Sequence, residues 1–179
     1  IIPLFFKVLT QGTSSITKYT DLFSFFSFFP LGREVFTSII YLFAPYSTSI
    51  GCTVQTLSIS NEVISSMVTM DELPWLKNPF NSIHAIALAN LGELTSGLCL
   101  TSLFQHLKLK GIPVKIETIY IRKAKGRIFG RCEISLSKLS NNISSEFVVE
   151  TIITDSKGIE LAKCLVTWSL KGPSVTKKE

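Results

Sequence analysis

The sequence is short of the residues that build metal centres and redox sites. It has two histidines and four cysteines in 179 residues. Cys52, Cys99, Cys132 and Cys164 lie far apart, each among apolar neighbours, so no C-x-x-C pair exists. The spacing argues against a metal site or a disulfide framework. It fits reduced core cysteines in an intracellular, reducing compartment, with cytoplasm and mitochondrion undecided. An uninterrupted apolar run of the roughly 20 residues that span a bilayer is also missing. The greasiest region, DLFSFFSFFPLGREVFTSIIYLFAPY at 21–46, is split by Pro30, Arg33 and Glu34. It reads as two amphipathic helices that pack on the rest of the domain, with contact to a membrane surface as the second use. The opening run IIPLFFKVLTQG is short and lacks a basic stretch, so a signal peptide is not expected. There are no internal repeats and no low-complexity segments. Charge is sparse, at 17% of residues with a net of +5. The basic residues have no interleaved aromatics, which disfavours nucleic acid as a partner.

What the chain does have is apolar: 46% of its residues are hydrophobic. That is enough to fill the core of one domain. IGCTVQTLSIS (50–60) and EVISSMVTM (62–70) are β-branched and roughly alternating, and read as a strand pair around Asn61. DELPWLKNPFN (71–81) holds two prolines and reads as a loop. Residues 82–104 read as one long helix with Ser82 as its N-cap. Beyond Gly111 every segment reads as strand. PVKIETIYIRKA reaches a turn at 123–126, RIFGRCEISLSKL follows, and SEFVVETIIT and GIELAKCLVTWSL are joined by DSKG at 155–158. The order is helix, helix, strand, strand, long helix, four strands. It predicts an α+β fold in which a curved antiparallel sheet wraps the long helix. The expected divisions are a helical extension at 1–45, the main domain at 46–171 and a tail at 172–179.

The long helix is nearly free of charge, yet its first part, NSIHAIALANLGELTSG at 81–97, carries His84 and Glu93. Leu88, Leu91, Leu94 and Leu98 form a stripe for the sheet. Gly92 and Gly97 each cost about 1 kcal/mol against alanine, so they are expected where another backbone or a slim ligand comes close. Nine helical residues turn about 900° and rise about 13 Å, which points His84 and Glu93 in opposite directions. Within one chain they cannot share a site. Either they are unrelated, or two copies pair so that His84 of one faces Glu93 of the other.

These residues carry a resemblance. Asn78 in LKNPF stands six residues before His84, and His84 nine before Glu93 in HAIALANLGE. IYIRKAKGRIFGRCEI (119–134) has the form Y-x-R-x-A-x-G, and DSKGIELAKCLVTWSL closes with Trp168. In these features the chain resembles hotdog-fold thioesterases of the phenylacetyl-CoA thioesterase branch, and more specifically the DUF4442 group, over about residues 30–170. It departs from the branch where His84-Ala85-Ile86 stands in place of His-Gly-Gly. A hydratase of the same fold is disfavoured, since no Asp-x-Asn-x-x-x-x-His pattern is present.

The resemblance implies a hotdog fold and an acyl-CoA thioesterase of lipid metabolism, with its site at a homodimer interface (or in a tetramer). The alternative is a catalytically weak acyl-binding or membrane-surface hotdog protein. It implies that Glu93 activates water or attacks directly, and that His84 orients the thioester carbonyl or sits near the sulfur. Asn78 would position water or fix its loop. The N–H of Ala85 or of Ile86, at the positive end of the helix, would bind the oxyanion. Thr95 and Ser96 are possible helpers of Glu93. Arg122, Lys123, Lys125 and Arg127 would hold the phosphates of coenzyme A, which enters as part of the substrate. No separate cofactor is expected, and an acyl carrier thioester is the other donor considered.

Overall fold

The charge-free stretch after Asp21 folds into a helical hairpin. The computed structural model describes residues 19–107, 109–140 and 146–172. Helix α1 is Tyr19–Ser27 and α2 is Gly32–Phe43. Between them Leu31 turns with φ 59°. Gly32 lets α2 start hard against α1, since a Cβ there would lie within bonding distance of the Phe26 carbonyl oxygen. Leu22, Phe23, Phe36 and Ile40 are buried in the same core as Leu88, Leu91, Leu94 and Leu98 of the long helix. The hairpin is thus built into the fold, as expected of packing helices. Phe25, Phe28, Phe29 and Leu31 remain exposed at its tip.

A 3-10 turn, Pro45–Ile50, leads to β1, Cys52–Ser60, and β2, Val63–Met70. Asn61 and Glu62 both have positive φ, the backbone of a tight two-residue hairpin. The long helix α3 is Ala85–Leu107, followed by β3, Lys110–Tyr120, and β4, Ile128–Ser135. A short helix α4, Leu136–Ser140, precedes β5, Glu146–Asp155, and β6, Glu160–Lys171. All pairings are antiparallel, in the order β1-β2-β4-β5-β6-β3. The single long helix lies on this curved sheet, as the element order predicted. Ala85–Phe104 is long and apolar enough to cross a membrane by composition, but two-thirds of it is buried inside the domain.

Two expectations are corrected. First, the long helix begins at Ala85 rather than Ser82. Asn78 accepts the Ser82 N–H at 3.2 Å, and the Ser82 carbonyl accepts the Asn78 N–H at 2.8 Å, so Ser82 is committed to the loop. The cap falls to His84, whose Nδ1 accepts the Ile86 N–H at 3.2 Å. Second, 123–126 does not link two paired strands. β3 pairs with β6, while β4 lies between β2 and β5. Residues 121–127 are therefore a crossover between non-neighbouring strands. The Leu161 carbonyl accepts the N–H groups of Ile121 and Arg122 at 2.9 and 3.0 Å, and the Ala124 carbonyl accepts the Ile83 N–H at 2.9 Å. These bonds tie the crossover to β6 and to the start of α3. The DSKG link is the expected hairpin, with Gly158 at φ 79° and Asp155 Oδ1 accepting the N–H groups of Lys157 and Ile159.

The two ends of the sheet are finished differently. At β1, Thr37 Oγ1 of α2 accepts the Val54 N–H at 2.9 Å, and the Tyr41 hydroxyl donates to the Cys52 carbonyl at 2.6 Å. At β3, Ile112, Val114, Ile116, Ile119 and Tyr120 are about half exposed, and no strand lies beyond it among the described residues.

Candidate active site

Asn78 organises the approach to α3. Its Nδ2 donates to Ser82 Oγ at 3.0 Å and to the Ile83 carbonyl at 3.3 Å, while Oδ1 accepts the Phe80 N–H at 2.9 Å. Both ends of the amide are engaged within the loop. Of its two expected roles, fixing the loop has this geometry behind it. The loop delivers His84 to the helix start. The His84 N–H donates to the Leu76 carbonyl at 2.7 Å, and its ring is exposed. Because Nδ1 accepts a hydrogen bond, the neutral tautomer that fits this contact has its N–H at Nε2. The Ile86 N–H is taken by that bond. The Ala85 N–H has no partner among the described residues, so of the two candidate oxyanion donors Ala85 is the available one.

Beside this helix start lies a groove of about 320 Å³, lined by Asn78, Phe80, Ala85, Leu88, Tyr120 and Arg122, with Lys123 also at its wall. The Tyr120 hydroxyl, from the edge strand, donates to the Ala85 carbonyl at 3.0 Å. The basic crossover borders the groove, but its four cations are not equivalent. Arg127 forms a bidentate pair with Asp71 at 2.7 and 2.8 Å, which holds the Asp71 carboxyl below the usual carboxylate range. Glu72 accepts the Gly126 N–H at 2.6 Å and pairs with Lys77 at 3.3 Å. Arg122 and Lys123 face the groove. Lys125 is exposed, with Glu72 close enough to feel its charge.

Glu93 stands apart from this cluster. It is half-buried on the face of α3 that packs on β6, and no cation pairs with it among the described residues. Burial pushes its carboxyl above the ordinary carboxylate range. Its Oε1 and Trp168 Cζ2 each lie 3.8 Å from where a Cβ on Gly97 would stand. A Cβ at Gly97 would thus sit in ordinary contact with both side chains, and the glycine is not forced there by a close backbone. Gly92 serves close packing instead: a Cβ there would meet the Cβ of Cys164. Thr95 and Ser96 are fully buried and donate to the Leu91 and Glu93 carbonyls at 2.6 and 3.0 Å. They are packing residues, not helpers. So Asn78, His84, Ala85, Arg122 and Lys123 gather at the start of α3, and Glu93 does not join them within one chain. Among the described residues no group of three or more His, Cys, Asp or Glu side chains is arranged to hold a metal ion.

The sequence model of the family described as "Domain of unknown function (DUF4442)" matches residues 32–170. The chain belongs to the DUF4442 family. The match runs from α2 to the end of β6, so it covers the helix start, Glu93 and the bare edge strand alike. No curated protein matches the chain. Among solved structures, this DUF4442 chain is similar to a structural-genomics protein at TM-score 0.66 and 18% identity, covering 87% of this chain and 99% of that one. It is similar to a protein of unknown function from Pseudomonas aeruginosa, described as a probable thioesterase, at TM-score 0.59 and 18% identity, covering 72% and 87%. A mutant thioesterase from Staphylococcus aureus matches at TM-score 0.57 and 20% identity, covering 71% and 98%. At this identity the likeness establishes the hotdog fold, as the resemblance implied; the second and third of these neighbours are named as a probable thioesterase and a thioesterase.

Sequence reasoning gives no place to two neighbours of these residues. Tyr120 stands in the quoted motif Y-x-R-x-A-x-G but was given no task, although it spans from the edge strand to the first turn of α3. Trp168 was read as a family marker only. Its approach to Gly97, which Glu93 Oε1 also approaches, follows from the register of β6 under the helix, which has no local signal.

Proposed function

We propose that this DUF4442 protein hydrolyses acyl thioesters, coenzyme A thioesters first among them, at a site completed by a second copy of the chain. The observation that carries the reading is Glu93: a carboxylate on the core helix, unpaired and held above its usual range by burial, in a hotdog frame. A carboxyl whose proton affinity is raised in this way is a stronger general base than an ordinary one. The bare β3 edge supports the second copy. Antiparallel pairing of β3 with its own copy is two-fold and closes as a dimer. It would cover Ile112, Val114, Ile116 and Ile119. It would also allow the helix start of one protomer to meet Glu93 of the other, which one chain's helix geometry forbids.

In this site Glu93 takes a proton from water as the water oxygen bonds to the thioester carbonyl carbon. The resulting oxyanion is held by the Ala85 N–H at the positive end of α3. His84 Nε2–H is a second donor to that oxygen or to the sulfur. The tetrahedral intermediate then breaks its carbon–sulfur bond, and the departing thiolate receives the proton from Glu93. Free acid and thiol are the products. Arg122 and Lys123, at the groove wall, bind the phosphates of coenzyme A; Arg127 is left out because Asp71 already neutralises it. The four buried free cysteines support a reducing compartment.

The test is release of free thiol over a panel of acyl-CoA and acyl carrier thioesters, with Glu93→Gln as control. Release by the native chain and not by the variant supports the reading; no release from any thioester overturns it. A second reading, an acyl-binding protein at a lipid surface, is favoured by Phe28 and Leu31, which are 85% and 73% exposed. It expects vesicle binding without turnover, lost in Phe28→Ser with Leu31→Ser.

A further inference from the structure

Trp168 is 5% exposed, yet its Nε1–H is buried without a hydrogen-bond partner. An unpaired indole N–H in a core costs free energy, so such a donor usually has an acceptor or an ordered water to serve. The Cζ2 atom of this indole, on the same ring edge as Nε1, and Glu93 Oε1 each lie 3.8 Å from where a Cβ on Gly97 would stand, so at most twice that distance separates them. Phe104 packs edge-on against Trp168 with centroids 6.2 Å apart, which fixes the ring. A carboxylate without a cation and a donor without an acceptor thus approach the same residue of α3, Gly97. We propose that Trp168 is a positioning residue: its Nε1–H donates through one bridging water to the Glu93 carboxylate and holds it in one orientation for catalysis.

The charged form of Glu93 gains from such a donor, which offsets part of the burial that penalises it. Other ionisable groups do not compete for this role. From β6, the Cys164 thiol feels the Glu93 charge, and burial pushes the thiol up, so it stays neutral. From β3, Thr118 donates to that thiol at 3.6 Å, and Glu117 pairs with Lys115 at 2.8 Å. From β5 and β6, Glu150 and Lys163 pair with each other at 3.9 Å. On α3 itself, Cys99 donates to Ser66 Oγ at 3.2 Å. Two buried side-chain donors lack a partner among the described residues, Asn90 Nδ2 and Trp168 Nε1; Asn90 Oδ1 accepts from Ser47 at 3.0 Å, whereas the indole approaches Gly97 as Glu93 Oε1 does.

The catalytic consequence rests on reading Glu93 as the base, but the contact does not, so the test has two arms. The chain has two tryptophans, and Trp75 is exposed. In a Trp75→Phe chain, indole emission reports Trp168 alone. Titrated from about pH 4 to pH 9, it should show a transition above the ordinary carboxylate range, and adding Glu93→Gln should abolish it. A titration unaffected by Glu93→Gln overturns the contact, whether or not any thioester is cleaved. In the second arm, Trp168→Phe keeps the ring against Phe104 and removes only the N–H. It should lower kcat about tenfold or more, leave KM unchanged, and move the acid limb of the rate profile to higher pH. A purely structural tryptophan would instead lower stability without moving that limb, which would overturn the positioning role while the thioesterase reading stands. Should Trp168→Phe fail to fold, the emission arm, with Trp168 intact, still decides.

Discussion

One sheet, two edges: β1 ends in a helix that satisfies it, and β3 ends in apolar side chains with nothing beyond them among the described residues. At β1, α2 supplies an acceptor for the Val54 N–H and a donor for the Cys52 carbonyl, both from side chains. That edge cannot recruit another strand without displacing α2, which is the usual protection of a sheet margin. At β3, a run of eleven residues offers its backbone and half-exposed isoleucines, with Lys110 and Lys115 as its cations. Among the described residues one edge is covered by a helix and the other is bare, and the proposed second copy would take the bare one. The candidate site lies on that side: Tyr120 of β3 reaches the helix start, and Glu93 lies over β6, the neighbour of β3.

The largest effect should come from blocking the bare edge. Ile116→Lys with Ile119→Lys places charge on both faces of β3 without touching Glu93 or His84. Light scattering should read a monomer in place of a dimer. Thiol release should fall by about 10²–10⁴, the value of a lost general base. A fully active monomer would break the shared-site idea at once. The next test mixes His84→Ala chains with Glu93→Gln chains, each inactive alone. After exchange, each mixed dimer has one site lacking both groups and one site with both, so activity should return toward half of native. Confirmed exchange with no activity would mean that the two residues do not meet across β3.

The covered edge predicts the opposite behaviour. Thr37→Val keeps the shape of a fully buried side chain and strands the Val54 N–H. It should destabilise by about 1–3 kcal/mol in denaturant unfolding, with dimer mass and kcat unchanged. Comparable loss of activity there would erase the distinction between the edges. Smaller still is the effect expected at the crossover that joins β3 to the interior of the sheet. Arg122→Ala with Lys123→Ala should raise KM for coenzyme A thioesters several-fold and weaken its dependence on salt. Arg127→Ala should not, because Asp71 holds that guanidinium.

The elements of this fold were legible because they are written locally. Alternation marks β1 and β2, proline marks the loop, and leucines at helical spacing mark α3. Pairing was not: nothing in IRKAKGR distinguishes a hairpin turn from a crossover, since both need an exposed polar link with a glycine at positive φ. The helix start was misread for a related reason. Ser82 is a good cap by type, but Asn78, four residues earlier, had already claimed it. His84, Glu93 and Asn78 were found by their order in the chain. That Arg127 is spent on Asp71, or that an indole approaches Gly97 as Glu93 does, depends on contacts between segments more than fifty residues apart.

Glu93 itself offers the finest test of the comparison. Its folded carboxyl titrates above its unfolded value because burial penalises the charge. A raised folded pKa gives stability that is present in full below the unfolded pKa and is lost as pH rises through the folded one. At neutral pH the native chain therefore carries a penalty that Glu93→Gln removes. The variant should melt higher than the native protein at pH 7, and the difference should shrink as the solution is acidified through the raised pKa. Thermal unfolding of both chains across pH measures it. The bare edge adds a further demand. If a second copy seats against β3, Glu93 is buried more deeply in the dimer than in the monomer, so the gap between variant and native should be larger at high protein concentration. It should fall toward the monomer value in the Ile116→Lys/Ile119→Lys background. A gap indifferent to both changes would place Glu93 outside the interface and leave the β3 edge to some other partner.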